Sequence, residues 1–395
     1  MTDPVRIGIA GAGFAAKFHL KNMRRVYRVP VEVTGVTARS ASTRDSFAQQ
    51  FGVRAFESFS ALCDASDVIS LCTPPSTHEE LAIEALRRGK HLIIEKPLTG
   101  FFGPPGADPA SFRGNAYPKE EMLRAAVASC SRIAEAAQAA GRLIGYAENW
   151  IYAPAIQKET ELVTKSGAQI LWMLGNQSHS GSHSPYYGQW RFSGGGSLVG
   201  KSCHPLSATL YLKRAEGTAA GGRAIRPVTV SARTHEITRL PAFRDLGFLR
   251  TGYQDIEDYG QLHITFSDGT VADIFASELM LGGVSNWLEV IGNNHRTRCN
   301  LNPIDALDTF IAQEDAFRDV YLVEKLGTNQ GWSHPAPDEA WQHGYPQEFQ
   351  DFVESFAQGR EPASGLELAR DTMATIYAGY LSAERKGAEV EIPKL

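Results

Sequence analysis

The chain has 395 residues, 43% of them hydrophobic and 21% charged, with 39 Lys+Arg against 44 Asp+Glu for a formal net charge of −5. That composition excludes a mainly disordered chain, and the acidic balance excludes a general nucleic-acid binder, whose footprint is a basic excess. The length suits two domains, and no apolar run reaches the roughly 18 residues of a membrane span.

The first residues read as carrying no export signal. Residues 5–10 are a short apolar run ending in glycines, which predicts a strand, and 14–25 predict a helix. Residues 31–37 are rich in β-branched side chains and predict a second strand, followed by a helix over 42–51. A third strand over 68–72 stops at Thr73-Pro74-Pro75. Residues 77–88 have helical periodicity, with Gly89 as the stop, and a strand over 91–94 runs into Glu95-Lys96-Pro97. This alternation predicts a parallel sheet with helices on both faces.

Residues 99–118 break the rhythm with four Gly, four Pro and Phe101, Phe102 and Phe112. Such a stretch is a long surface loop, either a lid or a bland insertion. An Ala-rich helix over 119–140 and a strand over 142–147 then close the first domain, 1–148. After Trp150 the texture changes. A helix is expected over 155–165, then strands over 170–174, 228–233, 260–266, 271–276 and 287–291. Ser267-Asp268-Gly269 is a hairpin signal, so this sheet reads as largely antiparallel and open. Residues 306–344 give no clear assignment, and helices over 346–357 and 366–386 end the second domain, 149–395.

Gly11-Ala12-Gly13-Phe14-Ala15-Ala16 sits between a predicted strand and a predicted helix. The first glycine permits a tight turn, the second lets a pyrophosphate approach the backbone, and Ala16 allows close helix–strand packing. The helix N-terminus then faces the phosphates. This is the signature of a dinucleotide-binding Rossmann domain, with Gly11, Gly13, Phe14 and Ala15 as contacts. An acid after the second strand would select NAD, but the chain reads Thr37-Ala38-Arg39-Ser40. Arg39 and Ser40 can meet a 2′-phosphate, so NAD and NADP both stay open. The same pocket is expected to take in Thr73, Pro74, His78, Glu95, Lys96, Asn149, Trp190 and Arg191.

Three further segments carry a family likeness: Glu95-Lys96-Pro97, Asn149-Trp150-Ile151-Tyr152, and Trp190-Arg191-Phe192 followed by Gly194-Gly195-Gly196 and His204. With the glycine turn they resemble the Gfo/Idh/MocA (glucose-fructose oxidoreductase and inositol dehydrogenase) family. The resemblance implies a Rossmann domain, a second domain whose open sheet builds homo-oligomers (dimers or tetramers), and hydride transfer at a carbinol carbon of a sugar or polyol. It places the family's lysine on Lys96 and its histidine on His204. A charged Lys96 can hold a developing oxyanion, and His204 can take a proton near neutral pH.

The likeness has departures. Gly200 stands where many members have an Asp, Ser202 replaces a glycine, Lys201 brings a charge, and Ile151 replaces a frequent Arg. The base is therefore expected to be His204 or Tyr152. Expected substrate contacts are Lys96, Tyr152, His183, Lys201 and His204. His179 and His183 are four apart, but glycine, serine and proline around them indicate a loop and no third ligand is evident, so no metal is expected.

The leading reading is a nicotinamide-dependent sugar dehydrogenase or reductase. The alternative is a hydrolase that keeps its NAD and works by oxidation, elimination, water addition and re-reduction, on an anionic glycoside such as a sulfoquinovoside held by Lys201, His183 and Arg191. A non-catalytic sensor has only Gly200 in its favour. Five cysteines, Cys63, Cys72, Cys130, Cys203 and Cys299, form no close pair, which fits reduced thiols in a cytoplasmic protein.

Overall fold

The computed structural model describes residues 3–395 apart from 107, 109, 110, 183, 185, 303–305, 326 and 327. Strands β1 (Val5–Ala10), β2 (Val31–Thr37), β3 (Val68–Leu71), β4 (His91–Glu95) and β5 (Ile144–Ala147) pair in parallel in the order β2-β1-β3-β4-β5. Helices α1 (Phe14–Met23), α2 (Ala41–Phe51), α3 (Phe59–Ala65), α4 (His78–Arg87) and α5 (Lys119–Ala140) connect them. All four residues of β3 and of β5 are buried, as expected when both faces of a parallel sheet are covered. The strand order reverses between β1 and β3. Ligands of such sheets bind there, beyond the carboxyl ends of the strands.

Helix α6 (Pro154–Ser166) leads into a second sheet of β6 (Ile170–Ser178), β7 (Pro227–His235), β8 (Tyr259–Phe266), β9 (Val271–Ser277), β10 (Ser285–Gly292) and β11 (Arg296–Asn300). Strands β12 (Thr309–Ile311) and β13 (Gly331–Ser333) make a separate hairpin, and β14 (Val390–Glu391) joins the edge of the second sheet. Its order is β11-β10-β6-β9-β8-β7-β14, antiparallel throughout except where β6 meets β9. Short helices α7 (Trp190–Ser193) and α9 (Glu339–Gln342) accompany the long α8 (Cys203–Gly221), α10 (Tyr345–Gln358) and α11 (Leu366–Glu384). Helix α8 packs on β6 and α11 on β7. On the opposite face Trp172 is 39% exposed, and Leu174, Phe275 and Trp287 are half-buried.

Helix α8 escaped the sequence reading for a physical reason. Its first half is buried on all sides, from Cys203 to Leu210, so no apolar stripe alternates with a polar one. Helices α10 and α11 return to the first sheet, although the chain order assigns them to the second half. The Phe352 ring fills the space a side chain at Gly145 would need, and Tyr146 N–H donates to Ser364 O at 2.8 Å. Residues 99–118 are pinned to later parts of the chain. Phe101 N–H donates to the Tyr377 hydroxyl at 2.7 Å, and Gly114 N–H donates to Asp255 at 2.7 Å.

Candidate active site

The glycine turn fits a dinucleotide. Gly11 has φ +105°, and a Cβ there would stand 2.5 Å from the Cys72 carbonyl oxygen. Gly13, at the N-cap of α1, has no side chain to cap the first-turn N–H groups, and a Cβ there would meet nothing within 4 Å. The turn therefore presents free donors to open space, which is what a pyrophosphate requires. Phe14 is 81% exposed and stacks on Phe18, Ala15 is half-buried and Ala16 is buried. Arg39 is exposed, whereas the Ser40 hydroxyl caps α2 by accepting from Thr43 N–H at 3.4 Å.

His78 is wholly buried, with its ring nitrogens 2.9 Å from Pro97 O and 3.0 Å from Thr73 O. It staples the Thr73-Pro74 segment to the cis Lys96–Pro97 bond, and burial pulls its pKa down. The expected direct cofactor contact is thus corrected: His78 stands inside the wall. Glu95 is likewise engaged, accepting from Lys96 N–H at 3.0 Å and bound at 2.9 Å by His19 Nε2. His19 was not foreseen. It sits on α1, far in sequence from the strand ends it braces.

Lys96, at the end of the first sheet, reaches the backbone of the segment that leads into His204. Lys96 Nζ donates to Gly200 O at 2.8 Å, and Gly200 lies one helical turn before His204. His204 Nδ1 lies 2.7 Å from Glu148 Oε1, and the ring stacks on Trp150 at 6.0 Å. Glu148 is fully buried and its other oxygen, Oε2, has no partner among the described residues. The sequence reading found no acid for this histidine. Its signal was position: Glu148 follows β5 directly, at the carboxyl edge where such sites form. Glu148, Cys203 and His204 offer ligand atoms within 4.8 Å of one another. Burial pushes the Cys203 thiol up to about 12, which keeps its sulfur protonated and a poor metal ligand.

The missing Asp also has a structural cause. A Cβ at Gly200 would come within 2.8 Å of the Tyr187 hydroxyl, which donates to Glu278 at 2.6 Å. Glu278, fully buried, also receives the Lys201 ammonium. Burial lowers the Lys201 pKa while Glu278 opposes the change. Lys201 was expected as a free cation for the substrate; instead its charge is neutralised by Glu278.

Three other expectations are corrected. Tyr152 donates to Asp351 at 2.7 Å and accepts from Ser364 N–H at 2.9 Å, and burial with Asp351 holds its pKa well above the usual value. Both roles of that hydroxyl are taken, so it does not serve as the base. Asn149 donates its side-chain amide to His343 O at 2.7 Å. Trp190 is 1% exposed and acts as a clamp: its indole N–H donates to Phe101 O at 3.0 Å and its backbone N–H to Asp255 at 2.8 Å. Arg191 is half-buried over the Phe192 ring and binds Gln189. His183 lies outside the described residues.

The parallel sheet and its glycine turn together define a dinucleotide-binding Rossmann fold. Residues 5–102 match the model of the Gfo/Idh/MocA oxidoreductase family, described as an NAD-binding Rossmann fold. Glucose-6-phosphate 3-dehydrogenase of Bacillus subtilis is 34% identical over 93 residues, covering 24% of this chain and 26% of that protein. UDP-N-acetylglucosamine 3-dehydrogenase of Acidithiobacillus ferrooxidans is 35% identical over 95 residues, covering 24% of this chain and 29% of that protein. The matches thus span little more than a quarter of those relatives. The whole fold is shared with GenD2 from gentamicin A biosynthesis, solved in complex with NAD: TM-score 0.79 at 22% identity, covering 100% of this chain and 98% of that one.

Proposed function

We propose that this protein is a nicotinamide-dependent oxidoreductase that transfers hydride at a ring carbinol carbon of a sugar or polyol. The observation that carries the reading is that Lys96, just past the end of β4, binds the backbone of Gly200 four residues before the Glu148-backed His204. Relatives whose names are sugar dehydrogenases over the matched domain support the substrate class. Gly11, Gly13 and the N-terminus of α1 would hold the dinucleotide, whose nicotinamide supplies the hydride acceptor or donor when bound. In the oxidation direction His204 takes the hydroxyl proton at Nε2, because Nδ1 already faces Glu148. Glu148 steadies the imidazolium that forms. Lys96 presents its ammonium to the same oxygen and stabilises the growing negative charge. Burial of His204 and Glu148 strengthens these interactions by excluding water.

The hydrolytic alternative uses the same hydride step. Its case for an anionic glycoside rested on Lys201, His183 and Arg191 together, and Glu278 pairs with the first of these charges. The half-buried apolar face of the second sheet supports a homo-oligomer. Among the described residues no helix is long and apolar enough to cross a membrane.

The deciding experiment gives purified protein NAD or NADP with a panel of free sugars and glycosides, and follows reduced nicotinamide and aglycone together. Reduced cofactor accumulating with substrate consumed, and lost in Lys96→Ala and His204→Ala, is the expected result. Many turnovers of aglycone release with no net reduction would replace the dehydrogenase by the hydrolase. Neither signal with any sugar would end the reading.

A further inference from the structure

Five cysteines occur in the chain, all unpaired, and four are buried: Cys63, Cys130, Cys203 and Cys299. Desolvation pushes their thiols up, Cys63 to about 11 and the other three to about 12. Cys72 is different. It is half-buried, directly after β3 at the carboxyl edge of the first sheet. Its sulfur lies 3.3 Å from His19 Nδ1 and 3.6 Å from Ser70 Oγ, the hydroxyl itself lies 2.8 Å from the same Nδ1, and His19 Nε2 lies 2.9 Å from Glu95 Oε1. Sulfur, imidazole and carboxylate therefore stand in line, the order in which a histidine removes a thiol proton and an acid steadies the resulting imidazolium.

The surroundings favour charge on the histidine. Burial of His19 works against the imidazolium, but Cys72 and Glu95 outweigh it and hold the pKa well above the usual value. From α10, the Phe349 ring packs at 4.9 Å, and Glu348 is a further acid whose own pKa is held up by burial. Beyond Glu95 stand Lys96 and His78. The hydride-transfer mechanism uses neither the thiol nor His19.

We propose that Cys72 is a nucleophilic thiol, activated by His19 and Glu95, and a site of covalent modification by soft electrophiles and hydrogen peroxide. His19 takes the thiol proton at Nδ1 and the sulfur attacks. With an alkyl iodide, a sulfur–carbon bond forms as the carbon–iodine bond breaks and iodide leaves. With peroxide, the sulfur bonds one oxygen as the O–O bond breaks. The sulfur is oxidised by two electrons to a sulfenic acid, and the departing hydroxide takes the proton from His19 and leaves as water. No dinucleotide or sugar takes part, so this inference stands or falls apart from the proposed activity.

The test alkylates the native full-length protein with iodoacetamide across pH 6 to 9 and locates the adduct by peptide mass spectrometry. The expected result is one fast adduct per chain, on Cys72, formed at pH 7 at least about tenfold faster than on glutathione, whose thiol is mostly protonated there. His19→Asn is expected to slow it by a similar factor, and Cys72→Ser to abolish it. Alkylation at the glutathione rate, or equally fast alkylation of His19→Asn, overturns the proposal. If His19→Asn does not fold, the parent's pH profile decides: a rate level between pH 7 and 9 supports activation, and a rate that climbs with pH as glutathione's does overturns it.

Discussion

Nδ1 of His204 lies 2.7 Å from Oε1 of Glu148, a residue 56 positions earlier in the chain. His204 lies in the first turn of α8, and Glu148 directly follows β5 of the first sheet. The family resemblance implied a carboxylate four residues before the histidine, where Gly200 stands; the carboxylate that meets the ring is Glu148, just past a strand end.

Glu148→Gln tests that substitution of position. The amide keeps the size of the side chain but removes its charge and leaves the tautomer of His204 unfixed. Loss of a comparable orienting acid in a triad costs about 10⁴ in kcat, and general-base catalysis as a whole is worth about 10²–10⁴. Glu148→Gln is therefore expected to lower kcat by about 10² or more while dinucleotide binding, read by fluorescence titration, stays as in the parent. An unchanged kcat would remove Glu148 from the reaction.

Gly200 offers a second check. An Asp there collides with the Tyr187 hydroxyl, and it adds an acid beside a buried network that already holds Glu278. Overpacking of this kind costs about 1–3 kcal/mol before the charge is counted. Gly200→Asp should lower the denaturant midpoint clearly. Combining it with Tyr187→Ala should cost less than the two single changes together, because the ring that causes the collision is gone. Additive costs would show that Tyr187 is not what excludes the acid.

The first sheet and its glycine turn were legible because the signal is local. Strand, turn and helix follow each other within some twenty residues, and the apolar runs of β1, β3 and β4 are continuous because both faces are covered. Lys96 was legible for the same reason, as part of a tripeptide at a strand end. Glu148 was not, because its place after β5 does not reveal that its partner is His204, 56 residues away. Lys201 was misread for the mirror reason: Glu278, which neutralises it, is 77 residues on. The role of residues 99–118 depended on Trp190, Asp255 and Tyr377, none of which the loop's own composition reveals.

The Lys201–Glu278 pair yields a stability prediction that also bears on substrate charge. Both side chains are almost fully buried. Removing one member of such a pair leaves an unpaired charge and costs about 3–5 kcal/mol, whereas replacing both with neutral groups is far milder. Lys201→Met should therefore unfold at markedly lower denaturant, and Lys201→Met with Glu278→Gln should recover most of the loss. If Lys201→Met instead folds as well as the parent but loses turnover only on anionic sugars, the lysine serves the substrate after all.

Glu257 predicts the pH dependence of the same region. Its carboxylate accepts from Leu198 N–H at 2.9 Å, Gly196 N–H at 3.1 Å and the Tyr380 hydroxyl at 2.7 Å, and so holds the glycine-rich turn that leads to Gly200 and His204. Burial raises its pKa to about 7 from the ordinary 4.5, against the hydrogen bonds that favour the charged form. Between those two values the folded chain keeps a proton that the unfolded chain has released. Its contribution to stability is thus complete below about pH 4.5 and is lost as pH rises through about 7. The full swing is on the order of 3 kcal/mol at most. Glu257→Gln cannot titrate, so relative to the parent it should gain stability between pH 5 and pH 8, as read from denaturant midpoints at both. A parent and variant that respond to pH in parallel would show that Glu257 is already ionised throughout this range, with the three donors outweighing its burial.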